Sequence, residues 1–163
     1  MFIPLYTSCT QKKCYSTKEK GFSILIPAYN ETLVLNNCLI GILNVNYNNF
    51  EILFINDGST DNTLETLHKH LKLMKTPRAK QGVLSHEHVK GIYRSQKFPS
   101  IWVIDKENGG KADALNAGIE FATKEMIITL DADSIIDANA LNEMNQTFSD
   151  ESVVAAGGLV NIV

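Results

Sequence analysis

The sequence predicts an α/β domain built on a mostly parallel β-sheet with helices on both faces. From residue 22 onward, apolar runs of strand length alternate with segments whose apolar residues recur at helical spacing. Alternation of this kind requires crossover connections, which produce parallel sheets covered on both faces. The chain has 163 residues, of which 44% are hydrophobic. This length suits one such domain and is too short for two ordinary ones.

The first half of the domain contains two strand–helix units. FSILIP (22–27) and FEILFIN (50–56) are apolar runs typical of buried strands. Leucines recur through residues 31–43, which predicts a helix after the first strand. After the second strand, a helix is predicted to begin at an Asp61 N-cap and to end near Leu73.

The second half repeats the pattern after an interruption. Prolines and glycines break up residues 74–99, which predicts an irregular connection. Three further strands and two helices follow, each predicted from the same apolar periodicities. The strands are SIWVID (100–105), EMIITLD (125–131) and SVVAAGG (152–158), and the helices cover 111–123 and 137–148.

The remaining features restrict the class of protein. Residues 1–21 are expected to form an N-terminal extension or linker, and their start lacks the basic segment of a signal peptide. No run approaches 18 apolar residues, so no transmembrane helix is expected. Cys9, Cys14 and Cys38 form no metal-binding pattern, and their odd number favours free thiols in a reducing compartment.

Charge is unevenly distributed along the chain. The net charge of −3 argues against a nucleic-acid binder. Residues 68–97 nevertheless carry eight of the fifteen Lys and Arg, all four histidines and a single acid, Glu87. This basic segment is interpreted either as a solvated loop and helix face or as a surface facing phosphates, an anionic membrane or another part of a longer protein.

Four polar segments follow the predicted strands, at the sheet edge where ligands bind in folds of this class. In IPAYNE (26–31), Tyr29 can stack on a flat ring and Asn30 can cap a helix or bind a ligand. In NDGSTDN (56–62), Asp57 at the strand tip suits a neutral donor such as a ribose hydroxyl or a base N–H. Taken alone, either segment is also explained as a helix start or a turn.

The other two segments carry a lysine and a pair of acids. KENGGKADALNAG (106–118) opens a tight turn before Lys111, whose ammonium suits a phosphate. In LDADS (130–134), period-two geometry predicts that Asp131 and Asp133 point the same way. Two adjacent carboxylates favour a hard cation, Mg²⁺ or Mn²⁺, although a strand stop plus a helix cap explains the pair as well. The sequence contains no Rossmann glycine fingerprint and no P-loop.

Together, FSILIPAYNE, FINDGSTDNT, ENGGKADALNAG and IITLDADS resemble family 2 glycosyltransferases of the GT-A fold, which is Rossmann-like. The set is most similar to processive synthases of the poly-N-acetylglucosamine, hyaluronan and chitin type. The resemblance covers about residues 22–160 and implies a UDP-sugar donor, with UDP-N-acetylglucosamine favoured. It also implies a glycan acceptor and a parent protein at the cytoplasmic face of the cell membrane.

The resemblance assigns roles to individual residues. It implies one set of residues that bind the nucleotide and a second set that binds a metal ion, Mn²⁺ or Mg²⁺. Asp57 is expected to bind the uracil or ribose, and Asp133 to ligate the metal on the diphosphate. The nucleotide set is Pro27, Tyr29, Asn30, Glu31, Asp57, Lys111, Asp113 and Asp131; the metal set is Asp133 and Asp131.

The sequence departs from the family pattern downstream. Family members carry a catalytic base well after the metal motif, and polymer-forming members add a Gln-x-x-Arg-Trp segment; neither is present here. Residues 22–163 are therefore expected to be a donor-binding part without catalytic base or acceptor site, the base lying downstream of Val163. Two alternatives stay open: a non-catalytic nucleotide-sugar-binding module, and a nucleotidyltransferase, which would carry a glycine-rich basic loop that IPAYNE lacks.

Overall fold

A six-stranded sheet forms the centre of the domain in the computed structural model, which describes residues 19–158. The spatial order of the strands is β3-β4-β5-β2-β1-β6. The strands are β1 (Phe22–Ala28), β2 (Phe50–Asp57), β3 (Leu73–Lys75), β4 (Val89–Ser95), β5 (Ile101–Lys106) and β6 (Met126–Thr129). The helices are α1 (Leu35–Leu43), α2 (Thr63–Leu71), α3 (Lys111–Phe121) and α4 (Ala140–Thr147).

The sheet is parallel at its centre and antiparallel at one edge. Strand β1 pairs in parallel with β2 and β6, and β2 pairs in parallel with β5. The edge strands β3 and β4 pair antiparallel with each other, and β4 pairs antiparallel with β5. The predicted mostly parallel α/β sheet is confirmed.

Two apolar cores lie on opposite faces of the sheet because the central strands are buried on both sides. Alternate residues of β1 and β2 pack against α1, α2 and α4 on one face. The intervening residues, including Leu25, Leu53 and Ile55, pack against Ala114, Ala117 and Phe121, the last three on α3. Helices therefore cover both faces, as predicted.

Three helix starts differ from the prediction. Helix α4 begins at Ala140 and not at residue 137. Before α1 and α2, polar side chains hold the preceding residues in other conformations. Helix α1 begins at Leu35 and not at residue 31, since Asn30 has φ +59° and the following residues form turns. Helix α2 begins at Thr63, two residues after the predicted Asp61 cap. Asp61 still accepts a hydrogen bond from the Thr63 backbone N–H at 2.9 Å.

Two strand predictions were wrong. The predicted strand at 152–158 has no regular secondary structure, and Val154 is 91% exposed. Conversely, the segment predicted to be irregular, 74–99, contains all of β4 and most of β3. These strands are short or rich in polar residues, so their sequences lack the apolar run of a buried strand.

The cysteine and membrane predictions are tested only in part. Cys38 is buried on α1 with a free thiol, whereas Cys9, Cys14 and most of the predicted extension 1–21 lie outside the described residues. Burial, and then the charge of Asp133, raise the pKa of the Cys38 thiol to about 12. Among the helices of residues 19–158, none has the length and apolar character needed to cross a bilayer.

Candidate functional site

The carboxyl ends of β1, β2 and β5 lie side by side, which brings the loops after them together. Registry pairs Ala28 with Asn56, and Asp57 with Lys106. Asn56 donates a 2.7 Å hydrogen bond to the Asp105 carboxylate, and both side chains are buried. The loops that carry the predicted nucleotide residues therefore share one edge of the sheet, as the strand–helix pattern predicts.

Asp57 is the most enclosed of the predicted site residues. Its carboxylate accepts hydrogen bonds from the backbone N–H groups of Gly109 at 3.1 Å and Gly110 at 2.8 Å. The side-chain amide of Asn108 donates to the Asp57 carbonyl at 2.8 Å and to its Oδ2 at 3.3 Å. Asp57 thus holds the loop between β5 and α3 in place.

A buried lysine, which the sequence analysis missed, completes this arrangement. The side chain of Lys106 is 0% exposed, and its ammonium lies 2.6 Å from Asp57 Oδ1 and 2.5 Å from Asp113 Oδ2. Burial alone would lower the pKa of Lys106, but the two carboxylates outweigh burial and raise it. Lysines are almost never fully buried unless paired. The pairing of β2 with β5 places Lys106 opposite Asp57, and no local sequence signal indicates that pairing.

The Asp113 carboxylate faces Lys106, and its side chain is only 21% exposed. Its carboxylate also accepts the backbone N–H of Glu87 at 3.1 Å. Burial would raise the pKa of Asp113, but the hydrogen bonds from Lys106 and Glu87 lower it below the ordinary value. Asp113 therefore connects α3 to β5 and to the loop before β4.

The predicted residues after β1 lie beside the loop after β2. Asn30 Oδ1 accepts the Thr60 backbone N–H at 2.8 Å, and its own N–H donates to Ser59 Oγ at 3.0 Å. The Glu31 backbone N–H donates to Thr63 Oγ1 at 2.9 Å. Asn30 thus locks the two loops together. Pro27 is partly buried within β1, and Tyr29 is half-exposed at the end of that strand.

The two acids of LDADS lie in a turn beyond the end of β6. The Ser134 N–H donates to the Asp131 carbonyl at 3.0 Å, so the period-two argument for this pair was wrong. Both carboxylates are nevertheless exposed, and Ala132 between them is buried. The Lys111 ammonium lies 2.6 Å from Asp131 Oδ1, and both side chains are more than half exposed.

The two carboxylates at this turn are suited to bind a hard divalent cation only together with a substrate. No group of three His, Cys, Asp or Glu side chains suited to a metal occurs within residues 19–158. Asp131 and Asp133 supply carboxylate oxygens, which Mg²⁺ and Mn²⁺ prefer. Magnesium sites of enzymes commonly use one or two carboxylates and complete the shell with substrate phosphates and water. The two acids fit that pattern.

The start of α3 adds positive charge next to these acids. Gly110 precedes the helix with φ +88°, and Lys111 is its first residue. Helix N-termini favour anions because their N–H groups and dipole point outward. The loop 107–110 therefore joins the Asp57 cluster to Lys111 and, through it, to Asp131.

The basic segment 68–97 does not form one continuous face. Arg78 is bound in a buried ion pair with Glu51, and His68 packs edge-to-face on Tyr93 at 4.9 Å. His70 and His88 are exposed. The predicted solvated face therefore applies to part of the segment, and none of its histidines joins a metal cluster within the described part of the chain.

Comparison with known proteins identifies the family. The model of the family described as "Glycosyl transferase family 2" matches residues 23–162. The chain belongs to glycosyl transferase family 2. It is 33% identical over 137 residues to the poly-beta-1,6-N-acetyl-D-glucosamine synthase of Staphylococcus aureus, and 34% identical over 138 residues to that of Staphylococcus epidermidis. Each match covers 84% of this chain but 27% of the relative.

Solved structures of glycosyltransferases share the fold. Staphylococcus aureus TarS 1–349 superposes with a TM-score of 0.59 at 22% identity, covering 80% of this chain and 32% of TarS. A mannosyltransferase from Pyrobaculum calidifontis, solved with GDP-Man and Mn²⁺, gives a TM-score of 0.62 at 19% identity. That match covers 90% of this chain and 38% of the other. This family 2 member therefore has the GT-A fold.

Proposed function

We propose that this chain is the donor-binding part of an inverting, metal-dependent glycosyltransferase that binds a UDP-sugar. UDP-N-acetylglucosamine is the favoured donor, and the sugar goes to a glycan acceptor in cell-surface polysaccharide synthesis. The observation that carries the proposal is the convergence of Asp57, Lys111 and the Asp131–Asp133 turn on one sheet edge, linked by the loop 107–110.

Each group has a chemical task in this proposal. Tyr29 stacks on the base, and Asp57 accepts its N–H or a ribose hydroxyl. Lys111 and the N-terminus of α3 attract the diphosphate. Asp131 and Asp133 hold Mn²⁺ or Mg²⁺, which when bound supplies Lewis-acid stabilisation of charge on the leaving diphosphate. A cation bound to Asp131 would replace the Lys111 ammonium there, and that ammonium would then be free to contact the phosphates.

The choice of sugar nucleotide is supported by the relatives. The curated relatives are named as poly-N-acetylglucosamine synthases, and TarS has been solved in complex with UDP-GlcNAc. The chain spans 27% of the length of those synthases, so acceptor binding is assigned to other parts of the full-length protein. The catalytic base is assigned downstream of Val163, and the full-length protein to the cytoplasmic face of the membrane.

Calorimetric titration with three nucleotides tests the proposal. In the presence of Mn²⁺, UDP and UDP-N-acetylglucosamine are expected to bind this chain more tightly than GDP-mannose does. Absence of binding by all three, or a preference for GDP-mannose, would contradict the proposed donor. In a radiolabelled transfer assay the chain is expected to form little or no polymer, and robust synthesis would refute the assigned position of the base.

A further inference from the structure

The Lys106 ammonium is enclosed on all sides by acceptors. Besides the two carboxylates, it donates to the Glu107 carbonyl at 2.5 Å. An ammonium has three N–H donors, and each has a partner. Lys106 therefore has no N–H donor left for a ligand. It can influence ligand binding only through Asp57 or Asp113.

The contacts of Asp57 show which of its oxygens a ligand can reach. Oδ1 receives Lys106 and the Gly109 N–H, which fills the two acceptor positions of one carboxylate oxygen. Oδ2 receives the Gly110 N–H at 2.8 Å and the Asn108 amide at 3.3 Å. The Asn108 contact is the weakest by distance. Asn108 is exposed and keeps a 2.8 Å bond to the Asp57 carbonyl, so it can yield its place on Oδ2.

We propose that Lys106 is a positioning residue of the nucleotide site, one that directs Asp57 Oδ2 to the nucleobase. The ammonium holds Oδ1, so the remaining position on Oδ2, now taken by the Asn108 amide, faces the exposed loop. A base N–H takes that position. The inference rests on the proposed function and deepens it. Uracil offers an N–H at ring position 3 and cytosine offers a lone pair there, so Lys106 contributes to selectivity for uridine over cytidine nucleotides.

The charge of Lys106 is required because two carboxylates meet at it. With the ammonium removed, Asp57 and Asp113 repel each other. Asp57 then moves, and the N–H groups of Gly109 and Gly110 lose their acceptor. A neutral side chain of the same length therefore disturbs the loop 107–110 even where it fills the same space.

The test compares Lys106→Met with Arg78→Met in the 163-residue chain. Arg78 is the matched control because it is also a buried cation paired with a carboxylate, Glu51. Glu51 lies at the start of β2 and Asp57 at its end. The affinities for UDP and CDP are measured by calorimetry, and exchange of the Gly109 and Gly110 amide protons is measured by NMR without nucleotide.

We expect three results for Lys106→Met. UDP binds about 10- to 100-fold more weakly, the scale of one hydrogen bond to a charged group. The preference for UDP over CDP disappears, and the Gly109 and Gly110 amides exchange faster. Arg78→Met keeps the affinity, the preference and the slow exchange. If both variants keep the preference and the slow exchange, the proposal is overturned.

Two further outcomes can be distinguished from failure of the Lys106 proposal: absence of nucleotide binding by the unsubstituted chain, and failure of Lys106→Met to fold. If the unsubstituted chain binds no nucleotide, the proposed function fails, and the exchange of Gly109 and Gly110 alone decides whether Lys106 positions the loop. If Lys106→Met does not fold, Lys106→Gln replaces it, because its amide still donates to one carboxylate. Lys106→Gln is expected to lose the UDP preference, and its retention would overturn the proposal.

Discussion

The ion pair between Glu51 and Arg78 is expected to be a large contributor to stability at the opposite end of the sheet from the site. Arg78 Nη2 lies 2.6 Å from Glu51 Oε2, and each side chain is 7% exposed. Glu51 Oε1 also accepts from Ser23 Oγ at 2.7 Å and from the Thr123 N–H at 2.7 Å. Burial alone would raise the pKa of Glu51, but hydrogen bonds from Arg78, Ser23 and Thr123 lower it below its ordinary value.

Glu51→Gln keeps the shape of this side chain and removes its charge. Gln has one acceptor oxygen, so its NH₂ group must face a donor, and Arg78 stays buried without a counter-charge. Removing one partner of a buried pair costs about 3–5 kcal/mol, and at 7% exposure little of this is screened. For a domain of this size that corresponds to a fall in Tm of roughly 6–20 °C.

Urea unfolding followed by circular dichroism measures this loss. The control is Asp131→Asn, which breaks the Lys111–Asp131 pair, whose side chains are 63% and 57% exposed. That exposed pair should contribute no more than about 1 kcal/mol. A loss below about 1 kcal/mol for Glu51→Gln, equal to the control, would refute the reasoning. Combining Glu51→Gln with Arg78→Met should cost less than the sum of the two single losses.

Three other expectations follow from the same contacts. The folded-state pKa values of Glu51 and Asp113 are lowered, so the stability that these groups supply is complete above about pH 4.5 and is lost as pH falls through the folded values. In an acid titration, the free energy of unfolding of Glu51→Gln should therefore fall less steeply with pH than that of the unsubstituted chain, and an equal slope would contradict this. Gly58→Ala should destabilise the chain in urea, because φ is +66° and a Cβ would lie 2.7 Å from the Asn108 N; unchanged stability would show that the loop 107–110 yields freely. Leu67→Ala should cost about 2–5 kcal/mol in the same assay because Leu67 is fully buried, and a loss under about 1 kcal/mol would contradict its place in the core.

The central strands were predictable because they are buried on both faces. FSILIP and FEILFIN are continuous apolar runs, which identify buried strands without knowledge of their partners. The edge strands were not predictable in this way. VKGIYRS has a glycine and two cations, and its strand conformation depends on pairing with β5. SVVAAGG has the composition of a strand, yet Val154 packs against nothing that would hold it in one.

Site residues at strand ends were predictable, but their partners were not. Asp57 and Lys111 stood out because polar residues follow apolar runs at the ligand-binding edge. Lys106 did not, because a lysine at a strand end is ordinarily exposed. Its burial follows from two long-range facts, the placement of β5 beside β2 and the return of Asp113 on α3. Neither can be read from local sequence.

Metal-dependent nucleotide binding at the Asp131–Asp133 turn tests the central claim most directly. UDP is titrated into the chain with and without Mn²⁺, alongside Asp133→Ala and the control Glu143→Ala, which changes an exposed acid on α4. Mn²⁺ is expected to tighten UDP binding to the unsubstituted chain and to Glu143→Ala, and to have no such effect on Asp133→Ala. UDP binding that is the same with and without Mn²⁺, or a Mn²⁺ effect that survives in Asp133→Ala, would contradict the account.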